Sequence, residues 1–276
     1  MTDLSETNAR EGSAAPLPAR LRLPGLNLWG LLVPALALAG LEASVAFGLV
    51  PARLMPPPSA IVETFRELYE QGLVTHLAVS TARVLAGYAL GVALALPIGA
   101  LVGLNRRTES ILDPTFQALR AIPGLAWVPL LLLWLGIDEG PKITLIAIGS
   151  FFPVYIGLIA GIRNVDRKLV EVGELHGLGP VALVRCIFLP AALPSLFTGL
   201  RQGLSLAWMC LVAAELIAAT QGIGYLLTDG REVSRSDIVI AAILMRALLG
   251  KLSDTLLKRL EQRALHWRDS FETRLG

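Results

Sequence analysis

Long apolar blocks, separated by short charged or proline-rich stretches, make up most of this chain. A helix needs roughly 20 mainly apolar residues to cross ~30 Å of hydrocarbon, because its backbone groups find no water there and must bond within the helix. Six stretches meet or approach that length: Leu28–Leu49, Thr81–Leu104, Ala118–Leu135, Ile143–Ile162, Leu193–Ala218 and Ile238–Leu257. The third is interrupted by Arg120, Pro123 and Pro129. The pattern predicts an all-α integral membrane protein with about six transmembrane helices, its membrane domain spanning residues 28–257.

Between the first two spans, Pro56-Pro57-Pro58 halts the chain and Ser59 can cap a helix. Ile61, Val62, Phe65, Leu68 and Tyr69 then recur at helical spacing before Gly72. This reads as a short amphipathic helix lying along the outer surface of the bundle or in the headgroups, with partner docking as the lesser reading. Glycine pairs four residues apart (Gly87 and Gly91, Gly99 and Gly103, Gly157 and Gly161, Gly199 and Gly203) allow close helix approach where lipid supplies no hydrophobic drive.

Composition agrees with a membrane solvent: 54% of residues are hydrophobic and 17% charged, and mean hydropathy is +0.63. With 24 Lys and Arg against 22 Asp and Glu, no overall basic field exists to recruit nucleic acid. The distribution of the basic residues fixes orientation, because short cytoplasmic loops are enriched in them. Placing the N-terminus inside leaves 16 Lys and Arg on the inner side, 5 on the outer side, and Arg83, Arg201 and Arg246 within spans. Both termini are therefore expected in the cytoplasm, with residues 1–27 a disordered tail and 258–276 a C-terminal tail. Ala37-Leu-Ala39 resembles a signal-peptide cleavage site, but the long polar leader and the five further spans favour an uncleaved anchor.

The two cysteines, Cys186 and Cys210, and three scattered histidines spell out neither a disulfide framework nor a metal site. A phosphate-binding loop is not encoded: around Gly250-Lys251, Met245 stands where the first glycine is needed and Leu252 where the hydroxyl is needed. Nucleophile-elbow and zinc-protease motifs are missing too, so the chain is expected to carry no catalytic residues.

The stretch from Arg163 to Pro190 is unusual, placing nearly thirty residues between two spans on the basic side. Glu171 is followed by Gly177 six residues on, Ile187 sixteen on, and then Leu189-Pro190. This resembles the cytoplasmic signature loop of ABC importer permeases: Glu-Ala-Ala, three residues, Gly, nine residues, Ile-x-Leu-Pro. The two small positions are Val172 and Gly173 in this chain. Further matching segments are Leu54-Met-Pro-Pro-Pro-Ser59, Leu119-Arg-Ala-Ile-Pro123, Leu135-Gly-Ile-Asp-Glu139, Gly161-Ile-Arg-Asn-Val-Asp166, Ala214-Glu-Leu-Ile217 and Gly222-Ile-Gly-Tyr225. Within the superfamily the chain looks most like the sulfonate, taurine, nitrate and bicarbonate group, nearest to the aliphatic sulfonate permeases.

The resemblance implies a type I importer permease (MetI-like) fold in the bacterial inner membrane. It also implies a second copy of the chain, two cytoplasmic ABC ATPase subunits that use ATP and magnesium, and a periplasmic binding protein. Glu171, Val172, Gly173, Gly177, Ile187, Leu189 and Pro190 would form the ATPase-coupling loop, with Gly177 turning the chain and Leu189-Pro190 directing it into span five. The solute would be a small anion: an aliphatic sulfonate, or otherwise taurine, nitrate, bicarbonate or a thiamine-pyrimidine precursor. An integral-membrane enzyme would need clustered catalytic groups, and a scaffold would need no coupling signature.

Ionisable groups at mid-bilayer are costly and usually face the bundle interior or water. Arg201, Gln202, Trp208 and Glu215 on span five and Arg246 on span six are therefore candidates for the translocation pathway. For Glu215 an interhelical bond is the equal alternative. For Arg246 the readings are an anion counter-charge at the dimer axis, a snorkelling side chain or a structural pair.

Overall fold

Proline and glycine divide the chain into helices joined by short turns. The computed structural model describes residues 28–267, so the expected tail at 1–27 and the end of the expected C-terminal tail, 268–276, lie outside the described residues. Among the described residues the elements are α1 (Leu28–Ala46), α2 (Pro58–Glu70), α3 (Leu73–Leu104), α4 (Arg106–Arg120), a 3-10 turn (Gly124–Trp127), α5 (Val128–Leu135), α6 (Glu139–Arg163), α7 (Arg167–Leu175), α8 (Pro180–Leu183), a π turn (Val184–Phe188), α9 (Leu189–Ala218), α10 (Ile223–Glu232) and α11 (Ser236–Ala264).

α6 is the central helix, and glycines decide how closely its neighbours approach. On α3, a Cβ at Gly87 would stand 2.6 Å from Ile146 Cβ, and one at Gly91 would overlap Ser150 Oγ. Further along, Gly99 and Gly103 face Leu158 and Ile162. On the other side, Gly157 and Gly199 meet backbone to backbone, Gly161 packs on Ala192, and Gly203 packs on Ser150. All four glycine pairs thus lie in the α3–α6 and α6–α9 contacts, where dispersion between backbones replaces the absent hydrophobic drive.

Among the described residues three helical runs are long and apolar enough to cross a membrane: α3, α6 and Pro180–Ile217. The expected span Ala118–Leu135 is not one straight helix. α4 and the Gly124–Leu135 segment form a bent pair with a 92° angle at the break. Pro123 has no N–H to continue the α4 ladder and biases Ile122 away from helical geometry, and Pro129 begins α5 near its N-terminus. α1 contributes a shorter apolar helix, Leu32–Ala46. α11 carries Arg246, Lys251, Asp254, Lys258 and Arg259 along its length and runs on to Ala264, past the expected boundary at Leu257.

The re-entry into span five also differs from expectation. Helix begins at Pro180 and continues through the π turn into α9, so Leu189-Pro190 lie inside a helix and Gly179-Pro180 marks the change of direction. Pro190 cannot donate to the carbonyl four residues back, and the Leu189 N–H reaches Val184 O in the wider i→i+5 pattern. α2 lies against the bundle through Ile61, Thr64 and Leu68, whereas Val62 and Tyr69 of the expected apolar set are exposed.

Candidate functional site

α7 is built to hold one shape at the end of the bundle where α6 ends. The Asp166 side chain accepts from Lys168 N at 2.9 Å and caps the helix start. At the other end Gly177 adopts φ +72, in the left-handed region. Gly177 N donates to Glu174 O at 2.9 Å and Leu178 N to Gly173 O at 3.1 Å, the paired bonds of a Schellman ending. Gly173 then lets α7 close on the helix that follows, because a Cβ there would lie 2.6 Å from Ile187 Cδ1 and 2.7 Å from Leu183 Cδ2. Two residues of the signature, Gly173 and Ile187, therefore meet in space.

The outward face of this elbow is apolar. Leu169, Val172 and Leu175 recur every three residues, and Leu175 and Val181 are 86% and 81% exposed. Glu171 points to solvent and pairs with Arg167 at 3.1 Å. Leu189 is half exposed, and Pro190 lies in the first turn of α9.

A groove of about 810 Å³ runs along α6 and α9 beneath the break between α4 and α5. Leu145, Ile148, Phe152, Pro153 and Ile156 line it from α6, and Leu206, Met209 and Ala213 from α9. Among the described residues Arg120 is its single charged lining residue, and Ser195, Thr198 and Gln202 supply polar groups from α9.

Of the expected pathway residues, only Gln202 lines this groove. Arg201 turns toward α11, where Nε donates to Asp254 at 2.9 Å and the guanidinium also pairs with Glu261 at 3.6 Å. Trp208 is buried in the core and donates Nε1–H to Ser253 Oγ at 3.0 Å. Arg246 is half-buried, and its Nε has no hydrogen-bond partner among the described residues.

Glu215 does not face the groove. It is 1% exposed and accepts from Arg83 at 2.8 Å, Ser80 Oγ at 2.7 Å and Gly224 N at 2.7 Å. Arg83 is equally enclosed and forms a bidentate pair with Glu139, both bonds at 2.6 Å, while Lys142 reaches the same carboxylate at 3.0 Å. Arg83 also donates to Gln221 O at 2.6 Å, Ser80 Oγ accepts from Ile223 N at 2.8 Å, and Gly222 N donates to His76 Nδ1 at 3.0 Å. One polar network thus fastens α3, α6, α9 and the start of α10 together. Sequence reading marked Arg83 and Glu215 as intramembrane charges; their pairing depends on which helices adjoin, which local spacing does not encode.

At the α2 end, Arg235 bridges Glu67 with two bonds of 2.8 Å and Asp237 at 2.6 Å. The Arg235 hydrogen bonds hold the Glu67 carboxyl below its ordinary range. Burial raises Asp237, but hydrogen bonds from Arg235 and Thr64 outweigh it and leave this carboxyl low as well.

Apolar helices packed through glycine, a rigid elbow with an apolar outward face, and a lined groove define a membrane transport subunit. The chain belongs to the family described as binding-protein-dependent transport system inner membrane component, whose model matches residues 87–266. It is an ABC importer permease. Over 98% of its length it is 43% identical to the aliphatic sulfonates transport permease protein SsuC of Bacillus subtilis, covering 96% of that protein. The SsuC protein of Escherichia coli is also 43% identical, over 88% of this chain and 92% of the relative. The fold matches a chain from inward-facing crystals of the MetNI methionine ABC transporter with a TM-score of 0.59, at 19% identity, over 70% of this chain and 95% of that one.

Proposed function

We propose that this chain forms the membrane pathway of an importer for aliphatic sulfonates, working as a pair of copies with two cytoplasmic ATPase subunits and a periplasmic binding protein. The observation that carries the reading is the exposed apolar face of Leu169, Val172, Leu175 and Val181 on a capped, tightly packed elbow. Apolar surface outside the spans is costly unless a partner covers it, and a rigid mount transmits a partner's movement without absorbing it. ATP and magnesium are used by the ATPase partners, and this chain holds no cofactor.

In the cycle that follows, ATP draws the ATPase subunits together and α7 moves with them. The packed α3–α6–α9 unit tilts, opening the groove toward the delivered solute, and hydrolysis returns it. The elbow lies on the cytoplasmic side of the inner membrane, with both chain ends on that side, a placement that the distribution of basic residues supports. The choice of solute is supported by similarity to the SsuC proteins. A groove with apolar walls and one arginine suits an organic anion better than nitrate or bicarbonate.

Reconstitution tests this reading. Proteoliposomes holding the chain, its ATPase and its binding protein are expected to accumulate labelled butanesulfonate only with ATP, and to accumulate nitrate and bicarbonate far less. Uptake of an inorganic anion in place of the sulfonate would overturn the choice of solute.

A further inference from the structure

We propose that Arg120 is the anion-binding residue of the groove, and that Ser195, Thr198 and Gln202 complete a subsite for a sulfonate head group. The proposal rests on the transport reading above and assigns residues to it.

Three observations converge on Arg120. Among the described residues it is the only charged one along the groove wall. Arg83, Arg163 and Arg201 have carboxylate partners, namely Glu139 and Glu215, Glu109, and Asp254 and Glu261, whereas Arg246, also without one among the described residues, lies away from the groove. Arg120 has no hydrogen bond or ion pair among the described residues, and its side chain is exposed. An unneutralised guanidinium in an apolar surround is costly, so it is kept where an anion or water meets it.

The local fold explains how it is held there. Arg120 closes α4, where the helix dipole favours a cation, and the chain then breaks at Pro123. The following turn packs against α9, with the Cβ position of Gly124 3.7 Å from Cys210 Sγ. The turn after α4 is thereby seated at the groove.

Ser195, Thr198 and Gln202 are spaced by three and four residues, so they share one face of α9. Beyond them on that face the residues become apolar, through Leu206 and Met209 to Ala213. The groove therefore has a polar end and an apolar end. A sulfonate has three acceptor oxygens and one charge, which a planar guanidinium fork, the Ser195 hydroxyl and the Gln202 amide can meet, joined by the Thr198 hydroxyl once it turns from its bond to Pro194 O at 3.1 Å, while an alkyl chain lies along Phe152, Ile156 and Leu206. No carboxylate among the described residues lines the groove, so these walls offer no counter-charge for the amine of a zwitterion such as taurine. Simple alkanesulfonates are thus the fitting class.

The test is uptake of butanesulfonate and taurine by the full reconstituted transporter at saturating loaded binding protein, with assembly checked by size-exclusion chromatography. Arg120→Gln is expected to lower butanesulfonate uptake at least tenfold, Arg120→Lys to recover part of it, and Gln202→Leu to lower it severalfold. Wild-type uptake by Arg120→Gln and Gln202→Leu would overturn the assignment. Where Arg120→Gln does not assemble, Arg120→Lys and Gln202→Leu decide, and wild-type rates in both overturn it equally. A wild-type transporter that takes up no sulfonate but carries another solute would instead overturn the transport reading itself.

Discussion

Arg83 and Glu215 meet at 2.8 Å, enclosed between α3, α6 and α9, although they stand 132 positions apart in the chain. Every oxygen and nitrogen they present to one another is also bonded to a neighbour, from Ser80 and Gly224 to Glu139 and Gln221. Removing one member of a buried pair strands the other charge, at a cost of about 3–5 kcal/mol.

Arg83→Leu is therefore expected to lower the thermal stability of the purified chain strongly, because Glu215 and Glu139 both lose their main partner. Glu215→Gln keeps the shape and the bonds from Arg83 and Ser80 but turns its amide nitrogen on the Gly224 N–H, and is expected to cost less, about 1–3 kcal/mol. Thermal unfolding in detergent measures both. Uptake per assembled transporter is expected to stay near wild type in Glu215→Gln, as for a structural residue; a tenfold loss at full assembly would return Glu215 to the pathway.

Much of this was legible in sequence. The spacing of Ile61 and Leu68 placed α2 against the bundle, and the interval from Glu171 to Pro190 located the elbow. Interruptions at Arg120 and Pro123 were visible, but the 92° bend they accompany was not, because proline breaks a ladder without dictating the new direction. The helix running from Pro180 through the π turn was hidden for a related reason. Leu189-Pro190 looks like a start signal, and only the tertiary setting shows a helix passing through it. Arg201 and Glu215 share α9 yet bond to different helices, Arg201 to α11 and Glu215 to α3.

Backbone contact along α6 leaves no space for a side chain. At Gly157 a Cβ would stand 2.8 Å from Ser195 O and 2.9 Å from Gly199 Cα. Neither atom belongs to a flexible side chain, so Gly157→Val is expected to push α6 and α9 apart, at about 3 kcal/mol or more. Gly250→Val, where a Cβ would meet nothing within 4 Å, is the control on α11 and is expected to assemble normally. Yield of monodisperse protein from the membrane distinguishes them.

Acid is expected to loosen α2 from the bundle. Glu67 and Asp237 have carboxyls held below their ordinary values, so their contribution is fully present above the ordinary carboxylate range and is lost as pH falls through their lowered values. Protection factors of α2 amides, taken against intrinsic exchange at each pH, should fall over that window, below about pH 4. Arg235→Gln is expected to raise exchange at neutral pH and flatten its dependence on acid.

Gly177 has φ +72 and no neighbour within 4 Å of its Cβ position, so a substitution there acts through the backbone alone. A β-branched residue is strongly disfavoured in that conformation. Gly177→Val is expected to disrupt the Schellman ending and to lower uptake per ATP hydrolysed severalfold, while Gly177→Asn, which tolerates the conformation, retains most coupling.

The α7 face can be tested most directly by ATP-driven butanesulfonate uptake into proteoliposomes holding the complete transporter, with Leu175→Glu and Val181→Glu introduced together. Wild type is expected to accumulate the anion, and the double variant to lose at least nine-tenths of that uptake while its helical content by circular dichroism is unchanged. Undiminished uptake by the double variant would mean that this face seats no motor protein.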